Sequence, residues 1–398
     1  MTKRTKEFDH WIRNEFVMFN DSLEGMYREQ ADPANVVGVG EEVKQQLLLE
    51  GQKYIEALLK EGNTDEGFDN AFDLLGNVGL YMAACRRHEL TEPSRERHSP
   101  LKEASALAMH IGSSIGVTPR FATAHLTTHN TSINGTYKRF TSDPAEKLFI
   151  DYNTRGILAY KRAAEALLKV QPLGISHPMA PVLLEEVKRA LVDVINSNQA
   201  LFKQLDTASF FYVVRPYYKP YRVGKEVYRG ANAGDFAGIN VIDMMLGLCQ
   251  ANDVDYAQIL VEKLLYMMPE DQATLKECMR LPNLLDAFLA AQSHRHESWY
   301  QETLKVFLQA CKLHGDTAIQ HHNQLVEKYI CGPAKNLANQ HLDKVTASGP
   351  PLQVLLGQLE TLRDKRAAAK RADLDTRHDD LKVLRQSLIK SEVYHASE

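Results

Sequence analysis

Two adjacent histidines, His321 and His322, lie in the stretch DTAIQHHNQLVEKYIC, whose spacing is typical of a helix. On a 3.6-residue period His322 falls on an apolar face, whereas His321 points away from it. The members of that face are Ala318, His322, Leu325, Val326, Tyr329 and Ile330. A neutral imidazole in an apolar wall suits an axial haem ligand, because iron supplies the partner that burial denies the ring nitrogen. The stretch alone favours a plainer interpretation, a buried histidine bonded to a neighbouring carbonyl.

A second stretch suits the recognition of an aromatic carboxylic acid. It reads SFFYVVRPYYKPYRVG and spans residues 209–224. Interpreted as a helix, it brings Phe211 and Arg215 to one face, four residues apart. A substrate ring can then stack on the phenylalanine while the guanidinium binds a carboxylate through two hydrogen bonds. Without further context we favour a core segment that ends in an arginine.

A third stretch, YRGANAGDFAGINVIDMMLGLCQ, joins a loop of small residues to an apolar helix. The loop consists of Gly230, Ala231, Asn232, Ala233 and Gly234. Small residues let the backbone approach a flat ligand, and amides at a helix start favour anions such as propionates or a carboxylate. A glycine-rich loop by itself is weak evidence for such a site.

These three stretches resemble segments of the indoleamine 2,3-dioxygenase superfamily. The run HNQLVEKYI from His322 resembles the helix of the proximal haem histidine, and AGDFAGINVIDMMLGL resembles the loop that wraps the haem edge. Phe210, Phe211 and Arg215 match two phenylalanines and an arginine that line the distal pocket of that family. The resemblance covers about residues 65–335, and within the superfamily the chain looks closer to the monodechloroaminopyrrolnitrin synthase branch.

The resemblance implies a haem b enzyme that oxidises a tryptophan-like, indole-bearing amino acid. It implies that His322 binds the iron and leaves the distal side for dioxygen or peroxide. The residues that it places around the substrate are Arg215, Phe210, Phe211, Thr123, Leu126, Asn232 and Ala233. The residues that it places around the haem are Ile157, Gly230, Ala231, Gly234, Asp243 and Val326.

Residues 120–130, RFATAHLTTHN, resemble the segment that enters the distal side of the haem in the same superfamily. His125 is the candidate catalytic residue for an alternative function, a peroxide-dependent hydroxylase of the tyrosine type. His125 and His129 are four residues apart and can share a metal ion, but no third ligand is evident nearby. A further alternative is a non-catalytic haem protein or helical interaction scaffold.

Composition excludes several classes of protein. The 398 residues are 44% hydrophobic and 25% charged, which is ordinary for a globular protein. The net charge of −4 gives no electrostatic case for a nucleic acid or an anionic membrane, and no apolar run approaches a membrane span. The five cysteines are scattered, without haem-attachment or zinc spacing. We expect reduced thiols, a cytoplasmic location and a haem without thioether links.

The helical period that runs through most of the chain predicts an all-α fold. We expect helices over residues 6–30, 42–59, 68–85, 101–115, 145–170 and 181–202. A small domain, 1–142, would form part of the distal wall, and 143–347 would bind haem. Residues 348–398 form a charged C-terminal extension, interpreted as a helix packed on one side, with an arm for a partner or a homodimer as the alternative.

Overall fold

The computed structural model describes residues 1–62, 67–331 and 352–394, and it confirms the all-α prediction. The helices are α1 (Lys3–Arg13), α2 (Glu15–Arg28), α3 (Glu41–Glu61), α4 (Phe68–Arg87), α5 (Lys102–Ile115), α6 (Pro144–Leu173), α7 (Ala180–Gln204), α8 (Thr207–Ser209), α9 (Gly238–Met245), α10 (Val254–Leu264), α11 (Pro269–Cys278), α12 (Leu284–Ala290), α13 (Ser298–Gln320), α14 (Leu352–Arg366) and α15 (His378–Tyr394).

Shorter and rarer elements connect these helices. The 3₁₀ turns are Thr123–His125, Arg215–Tyr218 and Gln292–His294, and the π-helical segments are Phe210–Val214 and His321–Cys331. Strands β1 (Tyr221–Val223) and β2 (Glu226–Tyr228) pair antiparallel, with Tyr221 opposite Tyr228. Two π-helical segments in one chain are notable because such turns are rare and are frequent at functional sites.

The first of two compact units consists of Met1–Thr154, Gln204–Asp235 and Lys328–Leu355. Helices α1 to α5 pack on one another in it, and α4 is the most buried of them. Buried aromatic rings join the helices to the segment after residue 209: Phe140 stacks on Tyr217 with 4.4 Å between ring centroids. Such offset aromatic pairs add to the free energy gained by burying the rings.

The second unit consists of Arg155–Lys203, Phe236–Glu327 and Leu356–Glu398. Its apolar core draws on the end of α6, on α7, on α9 to α13 and on α15. Leu381 and Leu384 of α15 are 2% and 0% exposed, so the C-terminal segment packs by one apolar side. The segment holds two helices where the plainer interpretation had one, and its burial on one side agrees with that interpretation. The role of the segment, the arm for a partner or homodimer and the domain boundaries after residues 142 and 347 stay predictions.

Several predicted helices have the correct position but different bounds. The helix over 6–30 is wrong as one element, because Asn14 adopts a non-helical conformation between α1 and α2. The Asn14 side-chain amide donates to the carbonyl of His10 at 2.7 Å, a local bond that competes with the helical ladder. The predicted stop at Gly116 is confirmed, since Gly116 has a φ of 71° and caps α5.

Within the described ranges no helix is both long and apolar enough to cross a membrane.

Candidate functional site

The segment from Asp206 to Tyr218 positions the predicted phenylalanine–arginine pair in the first unit. The Asp206 carboxylate accepts the amide of Ser209 at 2.7 Å and starts the segment. A π turn follows, in which the amide of Arg215 donates to the carbonyl of Phe210. Pro216 has no amide hydrogen to continue that pattern, and a 3₁₀ turn replaces it. The stretch is thus helical, as the interpretation assumed, but most of its turns are π and 3₁₀ turns instead of α turns.

Phe211 and Arg215 nevertheless lie together, as predicted. The guanidinium carbon of Arg215 is 5.2 Å from the centroid of the Phe211 ring, which is within the range of a cation–π contact. Phe211 is fully buried, and Arg215 is 8% exposed. A guanidinium held over a buried ring is restricted in its rotamers, and less conformational entropy is lost when it binds a carboxylate.

Phe210 faces a different neighbourhood from Phe211. Its ring lies 5.2 Å from that of Phe149 and 5.8 Å from that of Tyr329, measured between centroids. The hydroxyl of Tyr329 donates to the carbonyl of Leu205 at 3.1 Å. Phe210 thus packs in an aromatic cluster of the first unit, which supports the backbone that carries Phe211.

His125 is buried, and the backbone engages both of its ring nitrogens. The amide of Ala122 donates to Nδ1 at 2.8 Å, and Nε2 donates to the carbonyl of Phe72 at 2.8 Å. Burial and the nearby charge of Lys138 lower the pKa of His125 to about 3, so the ring stays neutral at physiological pH. The geometry therefore supports a structural role, and catalysis by His125 stays a prediction that rests on the resemblance alone.

Gly76 of α4 explains how His125 packs so closely. A Cβ atom at Gly76 would lie 2.5 Å from Cδ2 of His125, and one at Gly79 would lie 2.3 Å from the amide nitrogen of Phe121. Residues 120–130 are irregular: Thr123–His125 forms a 3₁₀ turn, and turns continue over 126–129. The two glycines admit this irregular segment against the helix, which a longer side chain would prevent.

Thr123 and Leu126, both predicted to face the substrate, have different surroundings. The hydroxyl of Thr123 is buried and has no hydrogen-bond partner in the part of the chain that the structure describes. Leu126 is completely buried. An unpaired buried hydroxyl is costly, so Thr123 is the member of the two that is suited to a polar group of a ligand.

The predicted loop of small residues is braced by Asp235. Its carboxylate forms ion pairs with Arg229 and with Arg120, the latter at 2.7 Å. The side chain of Asn232 accepts the amide of Gly234 at 2.8 Å and closes the turn. Ala231 and Gly230 are buried, whereas Asn232, Ala233 and Gly234 are half-buried. The negative charge at position 235 is thus neutralised within the first unit and stabilises the loop.

His322 and His321 lie at the start of the π-helical segment His321–Cys331, in the second unit. His321 is exposed and His322 is half-buried. Nδ1 of His322 is 3.4 Å from the side-chain oxygen of Asn323, and Nε2 has no hydrogen bond to any described residue. Ala318 is half-buried too, because the buried side of α13 ends with His314, Thr317 and Gln320. Of the predicted face, Tyr329 is buried and His322 is half-buried, while the side chains of Leu325, Val326 and Ile330 lie outside the described residues. The segment is a π-helix, which bonds residue i to residue i+5, so the 3.6-residue period on which the face was drawn does not apply to it.

Asp243, predicted near the haem, is the centre of a buried charge cluster in the second unit. Oδ1 accepts Nε2 of His314 at 2.7 Å and Nε of Arg366 at 2.8 Å. Oδ2 accepts the hydroxyl of Tyr256 at 2.7 Å and Nη2 of Arg366 at 2.8 Å. Burial opposes ionisation, but Arg366 and His314 together hold the pKa of Asp243 below its usual range.

Sequence reasoning missed the partners of Asp243. His314 falls on the apolar stripe of α13 with Leu304, Phe307 and Cys311, so the helical period could have predicted that it is buried. No local pattern could have predicted that Arg366 pairs with Asp243, because 123 residues separate the two. The two remaining haem candidates add little: Ile157 is 7% exposed in α6, and the side chain of Val326 lies outside the described part of the molecule.

The donor set of His322 fits a haem iron. A haem takes one neutral imidazole nitrogen from the protein on its proximal side. The Nε2 atom of His322 is uncommitted among the described residues, whereas the ring nitrogens of His125 and Nε2 of His314 are already bonded. Nδ1 of His314 is also without a partner among the described residues, but its Nε2 is bonded to Asp243. His322 is therefore one of the histidines whose ring nitrogen is open to a metal, and the family motif selects it among them.

A comparison with protein families gives one extended match. The model of the family described as monodechloroaminopyrrolnitrin synthase PrnB matches residues 2–388. Members of this family are haem-dependent oxygenases that act on a tryptophan-like substrate. The match covers nearly the whole chain and includes all the segments described above.

Proposed function

Because the chain belongs to the monodechloroaminopyrrolnitrin synthase family, we propose that it is a haem b oxygenase in which His322 binds the iron and Arg215 binds the carboxylate of a tryptophan-like amino acid. The family makes it a haem-dependent oxidoreductase, and this disfavours the non-catalytic scaffold. The roles of the individual residues are our proposal.

The observation that carries the proposal is the uncommitted Nε2 atom of His322. This histidine begins the motif HNQLVEKYI, and its half-buried ring is accessible to a ligand. His378 is half-buried with an unbonded Nε2 as well, so the position of His322 in the motif is what distinguishes it. When bound, haem iron supplies the oxidising chemistry with dioxygen or peroxide.

Arg215 and Phe211 recognise the amino acid in this proposal. The guanidinium donates two hydrogen bonds to the carboxylate, and the buried phenylalanine ring keeps it in place from below. Thr123 contributes its unpaired hydroxyl to a polar group of the same substrate. These residues orient the substrate and exclude water from it.

The ligation is tested by absorption spectroscopy of the full chain expressed with haem. We expect a Soret band in the wild type and in His321→Ala, and a weakened or shifted band in His322→Ala. His321→Ala is a matched control, since it removes an adjacent imidazole from the same helix. A folded wild type without a Soret band would overturn the haem assignment. Loss of the band in His321→Ala but not in His322→Ala would show that His321 is the iron ligand.

The substrate role of Arg215 is tested by binding two related molecules to the haem-loaded protein. L-Tryptophan carries a carboxylate, and tryptamine does not. Arg215→Met removes charge-assisted hydrogen bonds worth about 1.5–3 kcal/mol, so it should weaken tryptophan binding by about 10- to 100-fold and leave tryptamine unchanged. An equal loss for both molecules would show that Arg215 does not bind the carboxylate. L-Tyrosine in the same titration separates the indole from the phenol substrate.

A further inference from the structure

A cavity of about 40 Å³ lies inside the first unit, beside the C-terminal end of α4. Its walls include Arg86, Arg87 and Glu89 at the end of that helix, and Phe211 and Lys219 from the segment after it. A single water needs about 10–15 Å³, so the cavity has room for a small group of about three heavy atoms. No residue role discussed above accounts for its charges.

The arginines of this cavity are already paired. Arg87 forms two hydrogen bonds of 2.8 Å with the Glu24 carboxylate, and it donates a third to the carbonyl of Tyr212 at 3.1 Å. Arg86 is 3.2 Å from the Glu92 carboxylate. Its Nε atom is buried and has no hydrogen-bond partner among the described residues. The charge of Arg86 is therefore neutralised by Glu92, but its Nε atom is still able to donate a hydrogen bond to a ligand.

Lys219 is different, because it has neither a salt bridge nor a hydrogen bond in the described part of the chain. Burial lowers the pKa of Lys219 to about 7, and the charges of Arg86, Arg215 and Arg87 act in the same direction against a weaker opposing effect of Glu92. Of the three cations that line the cavity, Lys219 is thus the one without a paired carboxylate among the described residues. Glu89 also lines the cavity, so its three cations are balanced in number by Glu24, Glu92 and Glu89, and the feature open to a ligand is the pair of unused donors.

We propose that this cavity binds the carboxylate group of a small organic acid, with Lys219 and Nε of Arg86 as its donors. A carboxylate group has three heavy atoms and a phosphate has five, so a cavity of about 40 Å³ favours the carboxylate. The apolar wall contributed by Phe211 and Val36 suits a small carbon body such as a methyl group. Phe211 also supports Arg215 in the proposed substrate site, whereas Lys219 and Arg86 have no role there.

Occupancy of the site changes the proton balance of Lys219. A bound carboxylate stabilises the ammonium form, so the pKa of Lys219 rises on binding and a proton is taken up near pH 7. The affinity should be highest below pH 7 and should fall as the pH rises above it. Glu89 opposes the bound anion from the wall, and its replacement by glycine should strengthen binding.

The test uses formate and acetate as probes, titrated into the haem-loaded full chain by calorimetry at pH 6 and pH 8. We expect both to bind at least about tenfold more weakly to Lys219→Met. Benzoate is too large for a cavity of about 40 Å³, so it serves as a size control that should not bind there. Lys219→Arg should retain binding, and Lys225→Met, which removes an exposed lysine of the β1–β2 turn, should not change it. Glu89→Gly should shift the affinity in the opposite direction to Lys219→Met.

Three results would overturn the proposal. Acetate that binds equally well to the wild type and to Lys219→Met does not use this cavity. Inorganic phosphate that binds more tightly than acetate contradicts the carboxylate class. Acetate that competes with L-tryptophan and responds to Arg215→Met alone occupies the substrate site instead. Thermal unfolding of each variant checks that it is folded, and Lys219→Arg separates loss of charge from loss of structure.

Discussion

Two buried groups of charges in this molecule differ in how completely their members are paired. In the second unit, the carboxylate of Asp243 accepts four hydrogen bonds, from His314, Tyr256 and Arg366. In the first unit, the ammonium of Lys219 has none from a described residue, and Nε of Arg86 is unpaired beside it. A saturated cluster stabilises the fold, whereas an unsaturated one beside a cavity is suited to a ligand.

The largest effect is expected from opening the saturated cluster. Arg366→Met leaves the Asp243 carboxylate buried without its guanidinium, and loss of one partner of a buried ion pair costs about 3–5 kcal/mol. We expect this loss in the free energy of unfolding measured with urea. The double variant Arg366→Met with Asp243→Asn should lose less than the two single changes added together. Additive losses would show that the two side chains act independently.

Both ring nitrogens of His125 are hydrogen-bonded, so its polar atoms are as completely paired as those of the Asp243 carboxylate. Its replacement is therefore expected to cost stability. His125→Phe keeps a ring against Phe72, where the two centroids are 3.8 Å apart, but it removes both hydrogen bonds to the backbone. We expect a loss of about 1–3 kcal/mol in the free energy of unfolding, with turnover retained by the folded protein. Full loss of turnover with unchanged stability would instead support the catalytic role.

Replacement of Lys219 should raise the free energy of unfolding, whereas replacement of Arg366 or His125 should lower it. The Lys219 pKa of about 7 in the folded protein lies below its ordinary value of 10.5, so between these pH values the unfolded chain holds a proton that the folded chain has released. The free energy of unfolding therefore rises with pH in this window through Lys219. Lys219→Met should remove that rise and should gain about 1 kcal/mol at pH 6, where it removes a half-buried ammonium that has no hydrogen bond to a described residue. A destabilised variant with the same pH slope would contradict an unpaired cation.

The smallest effect is expected at Glu89. Its φ of 57° lies in the left-handed region, where it ends α4 with hydrogen bonds from Leu90 to Cys85 at 2.9 Å and from Glu89 to Arg86 at 3.3 Å. Glycine is the usual residue at this position of a helix end. Glu89→Gly should gain about 0.5 kcal/mol in urea unfolding, because relief of backbone strain exceeds the entropy that glycine loses on folding. Loss of stability would indicate that the carboxylate has a stabilising partner.

Local signals in the sequence predicted the helices well where capping residues marked their ends. The aspartate–proline start of α6 is confirmed, with the Asp143 carboxylate accepting the amide of Ala145 at 2.8 Å. The stop at Gly116 is another example. A capping residue bonds to a backbone amide only a few positions away, so the local sequence is enough to predict where the helix begins or ends.

The irregular segments were not predictable because distant residues determine them. The amide of Phe121 donates to the hydroxyl of Tyr221 at 2.9 Å, across 100 positions of the chain. The close approach of His125 requires Gly76 on another helix. Both π-helical segments depart from the 3.6-residue period on which the faces of His322 and Arg215 were drawn. Phe211 and Arg215 lie together in spite of this departure, whereas His322, expected in an apolar wall, is half-buried.

The division of the chain into segments also governs how the protein is made. In chain order the segments belong to the first, second, first, second, first and second unit. A ribosome therefore releases the opening segment of each unit long before its last one, and Arg366, which pairs with Asp243, is synthesised 123 residues later than its partner. Contacts so distant in sequence slow folding and leave apolar surface exposed during synthesis. Chains truncated before Arg366 should consequently accumulate as aggregates instead of as a shorter soluble enzyme.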